Sequence, residues 1–221
     1  MSTSEHWPGE QGGTAAADGP EAEAGEIYED DEQTADEEPA LAVEEGEPQL
    51  RLAGHAPGDL ELPDDVELFE GEARGTLRGI ALVVARFNGD VSNLLLQSAL
   101  AELDRLDVGR DAVTVMAVPG AFELPLGAMA LAKTRRYAAI VALGCVIRGE
   151  TAHFDYVAGE AASGLQLAGL ETGVPVAFGV LTTDTLEQAL ARADKGAEAV
   201  RTALEMADVF SQLRSAVQAA R

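Results

Sequence analysis

Cysteine is almost absent from this 221-residue sequence, in which Cys145 is the only one. An internal disulfide is therefore excluded, and this fits a reducing compartment. Long apolar runs are missing too: no stretch reaches the length of about 18 apolar residues that a membrane-spanning helix needs. The N-terminus has neither the basic nor the apolar region of a secretory signal, so we expect a cytoplasmic protein with no membrane contact.

The motifs of several enzyme classes are also missing. The pair His153 and Asp155 is too weak to indicate a metal site, so we expect no metal. Gly144 and Gly149 have the spacing of a P-loop, but Glu150 follows where a P-loop needs lysine. No Gly-x-Gly-x-x-Gly follows the first predicted strand, and no Gly-x-Ser-x-Gly occurs. These absences argue against a dinucleotide and an activated serine, and we expect no cofactor.

Basic residues are scarce in the first 72 positions, where Arg51 stands against 23 acidic residues. The same region is rich in Gly, Pro, Glu and Ala, so it cannot bury enough apolar surface to offset its chain entropy. We therefore predict an acidic, largely disordered extension over residues 1–72 and one domain over residues 73–221. The extension could bind a basic partner or keep assemblies apart. Its charge argues against nucleic-acid binding, and no basic stripe contradicts this.

Residues 58–71 are less clear, because Leu60, Leu62 and Val66 are apolar positions in an acidic background. One interpretation is a solvated linker. The other is a short peptide that docks on a neighbouring subunit or another partner.

Strands and helices alternate through the rest of the chain. Short aliphatic and β-branched runs predict strands at residues 78–85, 112–118, 137–143 and 175–181. Helical periodicity predicts helices at residues 90–106, 124–134, about 152–169 and about 193–215, with a further helix capped by Asp184. This alternation predicts an α/β protein with three α/β/α layers and a four-stranded parallel sheet. Since so narrow a sheet has exposed edges, we expect neighbouring subunits to cover them.

The most informative stretch runs from Gly144 to Tyr156, between the third strand and the next helix. Open α/β sheets bind ligands at the carboxyl ends of their strands, and a helix start offers N–H groups to a phosphate. His153, the only histidine outside the N-terminal third, would lie near that helix start and could move protons. The alternative is an ordinary turn with a surface histidine. Cys145 is expected to be a packed small residue rather than a nucleophile.

Aromatic residues follow other strands at the same predicted edge. Phe87 and Asn88 come after the first strand, where they could stack on a flat ring and bond its edge. The alternative is a core phenylalanine beside an asparagine or aspartate that caps the next helix. Phe122 comes after the second strand, and Phe178 is expected at or near the same edge. Three aromatics on one rim, together with His153, indicate a pocket for a planar heterocycle and a phosphorylated partner.

Four motifs resemble the lumazine synthase (6,7-dimethyl-8-ribityllumazine synthase) family, in that family's order and spacing. They are residues 86–88 (RFN), 118–125 (VPGAFELP), 144–156 (GCVIRGETAHFDY) and 173–182 (GVPVAFGVLT). The similarity runs from about Gly75 to Phe210. It implies a flavodoxin-like fold and a homo-oligomer, either a pentamer or a 60-subunit icosahedral capsid, with active sites between subunits.

The resemblance also implies a reaction of riboflavin biosynthesis. In it, 5-amino-6-ribitylaminouracil condenses with 3,4-dihydroxy-2-butanone 4-phosphate to give 6,7-dimethyl-8-ribityllumazine, phosphate and water. His153 would be the catalytic residue and would shuttle protons. The substrate-binding residues of one subunit would be Phe87, Asn88, Ala121, Phe122, Glu123, Val146, Ile147, Glu150 and Thr151. The adjacent subunit would supply Phe178, Arg192 and Lys195.

One segment departs from the family pattern. The family usually has a longer connection between the phosphate-binding arginine and the lysine that opens the last helix, whereas only two residues separate Arg192 from Lys195 here. Arg192 has the forked donor geometry for a phosphate, but the short segment could move it. An ordinary surface arginine is the alternative.

Two other functions compete with the enzyme. One is a non-catalytic shell or scaffold whose acidic tail handles partners, and the other is a flavin-binding storage protein. The presence of Phe87, Phe122 and His153 favours the enzyme, because a scaffold has no need of three pocket residues.

Overall fold

The computed structural model describes residues 60–63, 65–75 and 79–220. Most of the predicted disordered extension, residues 1–59, lies outside the described residues. Within them, four strands form one parallel sheet in the order β2-β1-β3-β4. The strands are β1 (Gly79–Ala85), β2 (Val113–Val118), β3 (Tyr137–Ile147) and β4 (Val176–Thr183).

Helices cover both faces of this sheet. They are α1 (Gly89–Arg105), α2 (Leu124–Lys133), α3 (His153–Thr172), α4 (Leu186–Leu190) and α5 (Lys195–Ala219), with single 3₁₀ turns at Arg110–Ala112 and Ala121–Glu123. Successive side chains of a strand point to opposite faces, so Leu82 packs with α1 and α5 while Val83 packs with α2 and α3. The three-layer α/β/α fold is confirmed. No helix in the described part of the chain is long and apolar enough to cross a bilayer.

The end of β3 differs from the prediction. The sequence predicted that this strand ends at Leu143, but it continues to Ile147. The reason is β4, which pairs with β3 from Ile140 through to Ile147 and supplies backbone partners beyond the β1 contact. The connection to α3 is therefore only Arg148 to Ala152.

The cap of α4 is also different. Asp184 was expected to cap this helix, but the N-cap is Thr185, whose hydroxyl accepts a hydrogen bond from the Gln188 N–H at 3.2 Å. The Asp184 carboxylate instead accepts a hydrogen bond from Arg148. A stronger charged partner has displaced the local capping contact.

The end of the acidic extension lies against α5 of its own chain. The Glu72 N–H donates to Asp208 Oδ2 at 3.1 Å, and Gln212 Nε2 donates to the Glu70 carbonyl at 2.7 Å. Gly71 approaches so closely that a Cβ there would lie 2.2 Å from the carbonyl oxygen of Glu205. Neither interpretation of residues 58–71 anticipated this contact. The domain boundary at residue 72 stays a prediction.

A buried carboxylate joins α1 to α5. Glu102, with 8% of its side chain exposed, accepts hydrogen bonds from Arg105 at 2.6 and 2.9 Å and from Arg201 at 2.9 Å. The bonds from Arg105, followed by those from Arg201, hold the pKa of Glu102 at about 2 although burial opposes the shift. The folded protein therefore keeps this carboxylate charged at pH values where the unfolded chain protonates it.

We predict an acid-dependent loss of stability from Glu102. Its folded pKa is depressed, so the stabilisation is present above pH 4.5 and is lost as pH falls toward about 2. Urea unfolding of the wild type and of Glu102→Gln, at about pH 5 and about pH 3, measures this contribution. The difference in free energy of unfolding between the two proteins should narrow at the lower pH. A constant difference would contradict the prediction.

Candidate active site

The carboxyl ends of β1, β2 and β3, together with the start of α3, surround a cavity of about 610 Å³. The chain runs from β1 to β2 on one side and places β3 on the other side, so the strand order reverses between β1 and β3. Open α/β sheets bind ligands in the crevice at such a switch point. The predicted site residues that line this cavity are Phe87, Asn88, Ala121, Phe122, Glu123, Val146, Ile147, Thr151 and His153.

Asn88 connects the ends of β1 and β3 at this crevice. It has a left-handed backbone (φ 55°, ψ 48°), and its Nδ2 donates to the carbonyl of Cys145 at 2.9 Å. The pairing of β1 with β3 ends at Leu143, so the side-chain amide takes the place of the next ladder hydrogen bond. Asn88 is the N-cap residue of α1, as the capping alternative expected, and its carbonyl accepts the N–H groups of Val91 and Ser92. Its side chain makes no capping hydrogen bond.

Cys145 is buried beneath this contact. Burial raises the pKa of its thiol, so the sulfur stays protonated near neutral pH. A buried neutral thiol is a packing residue rather than a nucleophile, as the sequence predicted.

Two aromatic rings stand on the rim with much of their surface exposed. Phe87 is 72% exposed and Phe122 is 56% exposed, so the core alternative for Phe87 is wrong. The backbone of Phe87 is fixed, because its N–H donates to the Pro119 carbonyl at 3.0 Å and its carbonyl accepts from Ser92 at 3.3 Å. A flat ligand that covers these rings would remove apolar surface from water, which favours binding.

The turn from Arg148 to Ala152 presents the start of α3 to the cavity. His153 is the first residue of this helix, and its N–H lies 3.4 Å from Thr151 Oγ1. The first N–H groups of a helix have no intrahelical acceptors and stand at the positive end of the dipole. An anion bound there would be next to the imidazole. Glu150 belongs to the same turn but is not among the residues that line the cavity.

Glu123 is directed toward its own turn. One carboxylate oxygen accepts the Gly120 N–H at 2.9 Å, which closes the 3₁₀ turn after β2. Glu123 also lines the cavity. This arrangement holds Phe122 and its neighbours in place.

Phe178, Arg192 and Lys195 lie outside this cavity. The sequence predicted Phe178 on the rim with Phe87, but it is the third residue of β4, paired with Ala142, well before the strand end. Its ring is 47% exposed, and together with Lys195 it lines a separate cavity of about 370 Å³ along the edge of β4. Arg192 donates to the Gln188 carbonyl at 2.9 Å. One chain therefore does not bring these three residues to His153.

Sequence reasoning missed several residues that line the cavity. Tyr156 and Val157 are the most informative, since they lie three and four residues after His153 and share its helix face. That spacing was a usable signal. The others are Pro119, Gly120, Cys145, Gly149 and Phe154.

These features define a class of protein. An α/β sheet gathers two exposed aromatic rings, an anion-receptive helix start and one imidazole around a single cavity at its switch point. Among the described residues, no group of three or more His, Cys, Asp and Glu side chains could hold a metal ion. The arrangement suits an enzyme that positions a flat molecule beside a small anionic one.

Comparison with known proteins identifies the family. The family model described as 6,7-dimethyl-8-ribityllumazine synthase matches residues 78–211. The 6,7-dimethyl-8-ribityllumazine synthases of Yersinia pestis (strain Pestoides F) and Yersinia pseudotuberculosis serotype O:1b (strain IP 31758) are each 50% identical over 155 residues, covering 67% of this chain and 99% of the relative. This chain belongs to the 6,7-dimethyl-8-ribityllumazine synthase family and is an enzyme of that family. The resemblance found in the sequence is confirmed.

Proposed function

We propose that the enzyme condenses 5-amino-6-ribitylaminouracil with 3,4-dihydroxy-2-butanone 4-phosphate in riboflavin biosynthesis. The products are 6,7-dimethyl-8-ribityllumazine, phosphate and water. The observation that supports this most is the single cavity joining Phe87 and Phe122 to Thr151 and His153. The aromatic rings at one end of the cavity suit a flat heterocycle, and the start of α3 at the other end suits a phosphate ester.

The pyrimidine occupies the aromatic end in this proposal. Phe87 stacks on its face, and backbone groups of Val146 and Ile147 hydrogen-bond to its edge. Asn88 lines the site and fixes the spacing of β1 and β3 beside it. Phe122 and its neighbours Ala121 and Glu123 contact the ribityl chain. The fixed backbone around Phe87 and the 3₁₀ turn at Ala121–Glu123 support this placement, because rigid supports reduce the entropy lost on binding.

The phosphorylated ketone occupies the other end. Its phosphate meets backbone N–H groups at Glu150 and Thr151, where the dipole of α3 also favours a negative charge. His153 then lies beside the carbon chain that the phosphate anchors. It moves protons as the amine of the pyrimidine adds to the ketone with loss of water and as phosphate leaves. It also moves protons as the ribitylamino nitrogen closes the ring on the second carbonyl with loss of a second water.

Positioning is the larger part of catalysis in this proposal. The amine is already a nucleophile and phosphate is a good leaving group, so neither a metal nor a covalent bond to the enzyme is needed. Holding two reactants in a productive geometry contributes up to about 7–11 kcal/mol. General acid–base assistance from a histidine typically adds about 10²- to 10⁴-fold.

We further propose that each site is completed by a second copy of the chain. Phe178 and Lys195 face outward along the edge of β4, and the edge of a sheet is a natural surface for assembly. A second copy seated beside the cavity would present Phe178, Lys195 and Arg192 to the bound substrates. Such a head-to-tail contact, repeated from each chain to the next, forms a closed ring. We propose that this ring is a pentamer, alone or as part of a 60-subunit shell.

Mixing the two substrates with the purified full chain tests the function. Lumazine fluorescence and released phosphate should rise together in equal amounts, and sedimentation of the same sample gives the assembly size. Tight binding of both substrates without any product would favour the scaffold. A yellow protein that forms no product would favour flavin storage.

We expect the acidic extension to be separate from catalysis. Deleting residues 1–59 removes none of the cavity-lining residues and spares the contact of residues 70–72 with α5. The values of kcat and both KM should stay within about twofold of the full chain, as for changes away from a site. A large loss of turnover or a change in sedimentation would instead give the extension a role in assembly or in the site.

A further inference from the structure

Arg148 forms a network at the edge of the proposed phosphate site. Its Nε donates to Asp184 Oδ1 at 2.9 Å, and its NH1 donates to Asp155 Oδ1 at 3.2 Å. The guanidinium carbon lies 4.1 Å from the centroid of the Phe154 ring. The N–H of Arg148 donates to the Thr183 carbonyl at 2.9 Å. Both the backbone and the side chain of Arg148 are thus fixed.

These contacts hold both ends of the turn that presents α3. Arg148 is the first residue after β3, whereas Asp155 lies in the first turn of α3. Asp184 follows β4, and its N–H donates to Gln188 Oε1 at 2.9 Å, which ties it to α4. The guanidinium therefore connects three elements across the four residues 149–152. It is not among the groups that line the cavity.

The network also sets the charge around the turn. Asp155 and Asp184 place two carboxylates beside the helix start, and Glu150 adds a third within the turn. A phosphate ester must approach this same region. One guanidinium between two carboxylates reduces the repulsion that the incoming anion meets, and carboxylates without it would oppose binding.

We propose that Arg148 is a positioning residue for the phosphorylated substrate: it fixes the turn at residues 149–152 and offsets the carboxylates of Asp155 and Asp184. This inference rests on the proposed function and deepens it. The substrate does not touch Arg148. Its effect reaches the substrate through the backbone N–H groups of the turn and through the local field.

The exposure of the network separates this role from a contribution to folding. The side chains of Arg148, Asp155 and Asp184 are 45%, 61% and 68% exposed. Ion pairs this exposed add little to stability, so variants should fold. An anion close to the same charges still feels them at low ionic strength, and salt screens the effect.

The test compares Arg148→Gln with the wild type. The KM for 3,4-dihydroxy-2-butanone 4-phosphate should rise about two- to fivefold at low salt, the range expected of exposed charges. The KM for the pyrimidine should not change. The rise should shrink in about 1 M salt, where the screening length is short. The part of the rise that persists in high salt measures the fixing of the turn. A change in both KM values, or no change in either, would overturn the proposal.

Two further variants separate charge from damage to the turn. Arg148→Gln combined with Asp155→Asn and Asp184→Asn should recover the salt-dependent part of the lost affinity, because the uncompensated carboxylates are gone. Asp184→Asn alone should lower the KM for the phosphorylated substrate. Arg110→Gln is the matched control: Arg110 pairs with Asp104 before β2, at the opposite end of the sheet. It should leave both KM values unchanged.

Binding of inorganic phosphate, measured by calorimetry, provides a readout without turnover. Arg148→Gln should weaken this binding by the same factor, and the triple variant should restore the salt-dependent part of it. A wild type that forms no product but shows these phosphate effects would refute the proposed function and support the role of Arg148. If the wild type forms product and Arg148→Gln has the same KM values and phosphate affinity as the wild type, the role of Arg148 is refuted and the proposed function is not.

Discussion

Replacing His153 with alanine is expected to lower kcat by about 10²- to 10⁴-fold, the usual contribution of a general acid–base histidine. Both KM values should stay within a few-fold of the wild type. His153 lies at the start of α3 on the cavity wall, while the rings of Phe87 and Phe122 stand on the rim. In the proposed mechanism, removing the imidazole takes away a proton carrier and leaves the proposed binding surfaces in place.

Turnover should nevertheless persist in this variant. Positioning contributes up to about 7–11 kcal/mol and depends on the rings and the turn rather than on the imidazole. Steady-state rates, together with calorimetric binding of each substrate, measure the lost turnover and the retained binding. Complete loss of turnover with binding intact would show that proton transfer, rather than positioning, is the dominant contribution.

Gly196→Ala is expected to cause the largest loss of stability. Gly196 is buried as the second residue of α5, and a Cβ there would lie 2.1 Å from the carbonyl oxygen of Leu95 and 3.2 Å from the N of Ala99. The backbones of α1 and α5 touch at this point. Since these are backbone atoms that no rotamer can move, the helices must separate. We expect the free energy of unfolding to fall by about 1–3 kcal/mol or more.

Gly159→Ala is the matched control for this change. Gly159 lies in α3 and is exposed, and a Cβ added there would meet nothing within 4 Å. Alanine is a better helix former than glycine, so this variant should gain up to about 1 kcal/mol. Urea unfolding of the two variants and the wild type gives the comparison. Equal stability of Gly196→Ala and the wild type would mean that α1 and α5 are not in backbone contact.

The fold was largely predictable because its elements have strong local patterns. Apolar strands such as β1 and amphipathic helices such as α1 follow from short-range periodicity. The end of β3 was not predictable in this way. Gly144 and Cys145 interrupt the β-branched run, and only the pairing with β4, more than thirty residues later, keeps them in the strand.

The site was predictable where chain order alone determines position. Phe87, Phe122 and His153 each follow a strand end, so a parallel sheet brings them to one edge. Phe178 lies inside β4 rather than after its end. Its position relative to the cavity therefore depends on β4 being the edge strand, which the order of the strands along the chain does not reveal. The role of Arg148 could not be assigned from sequence, because its partner Asp184 is 36 residues away. Only the folded sheet brings the turn that contains Asp184 close to Arg148.

The central claim is that one chain supplies the His153 cavity and another supplies the outward face at Phe178. Co-expression of His153→Ala with Phe178→Ala, each with its own tag, tests it most directly after purification on both tags. With random mixing in a cyclic assembly, about one quarter of the sites should combine a native His153 from one chain with a native Phe178 from the next. The mixed oligomer should therefore be more active than the average of the two variants. Activity equal to the average of the two parents would contradict a shared site.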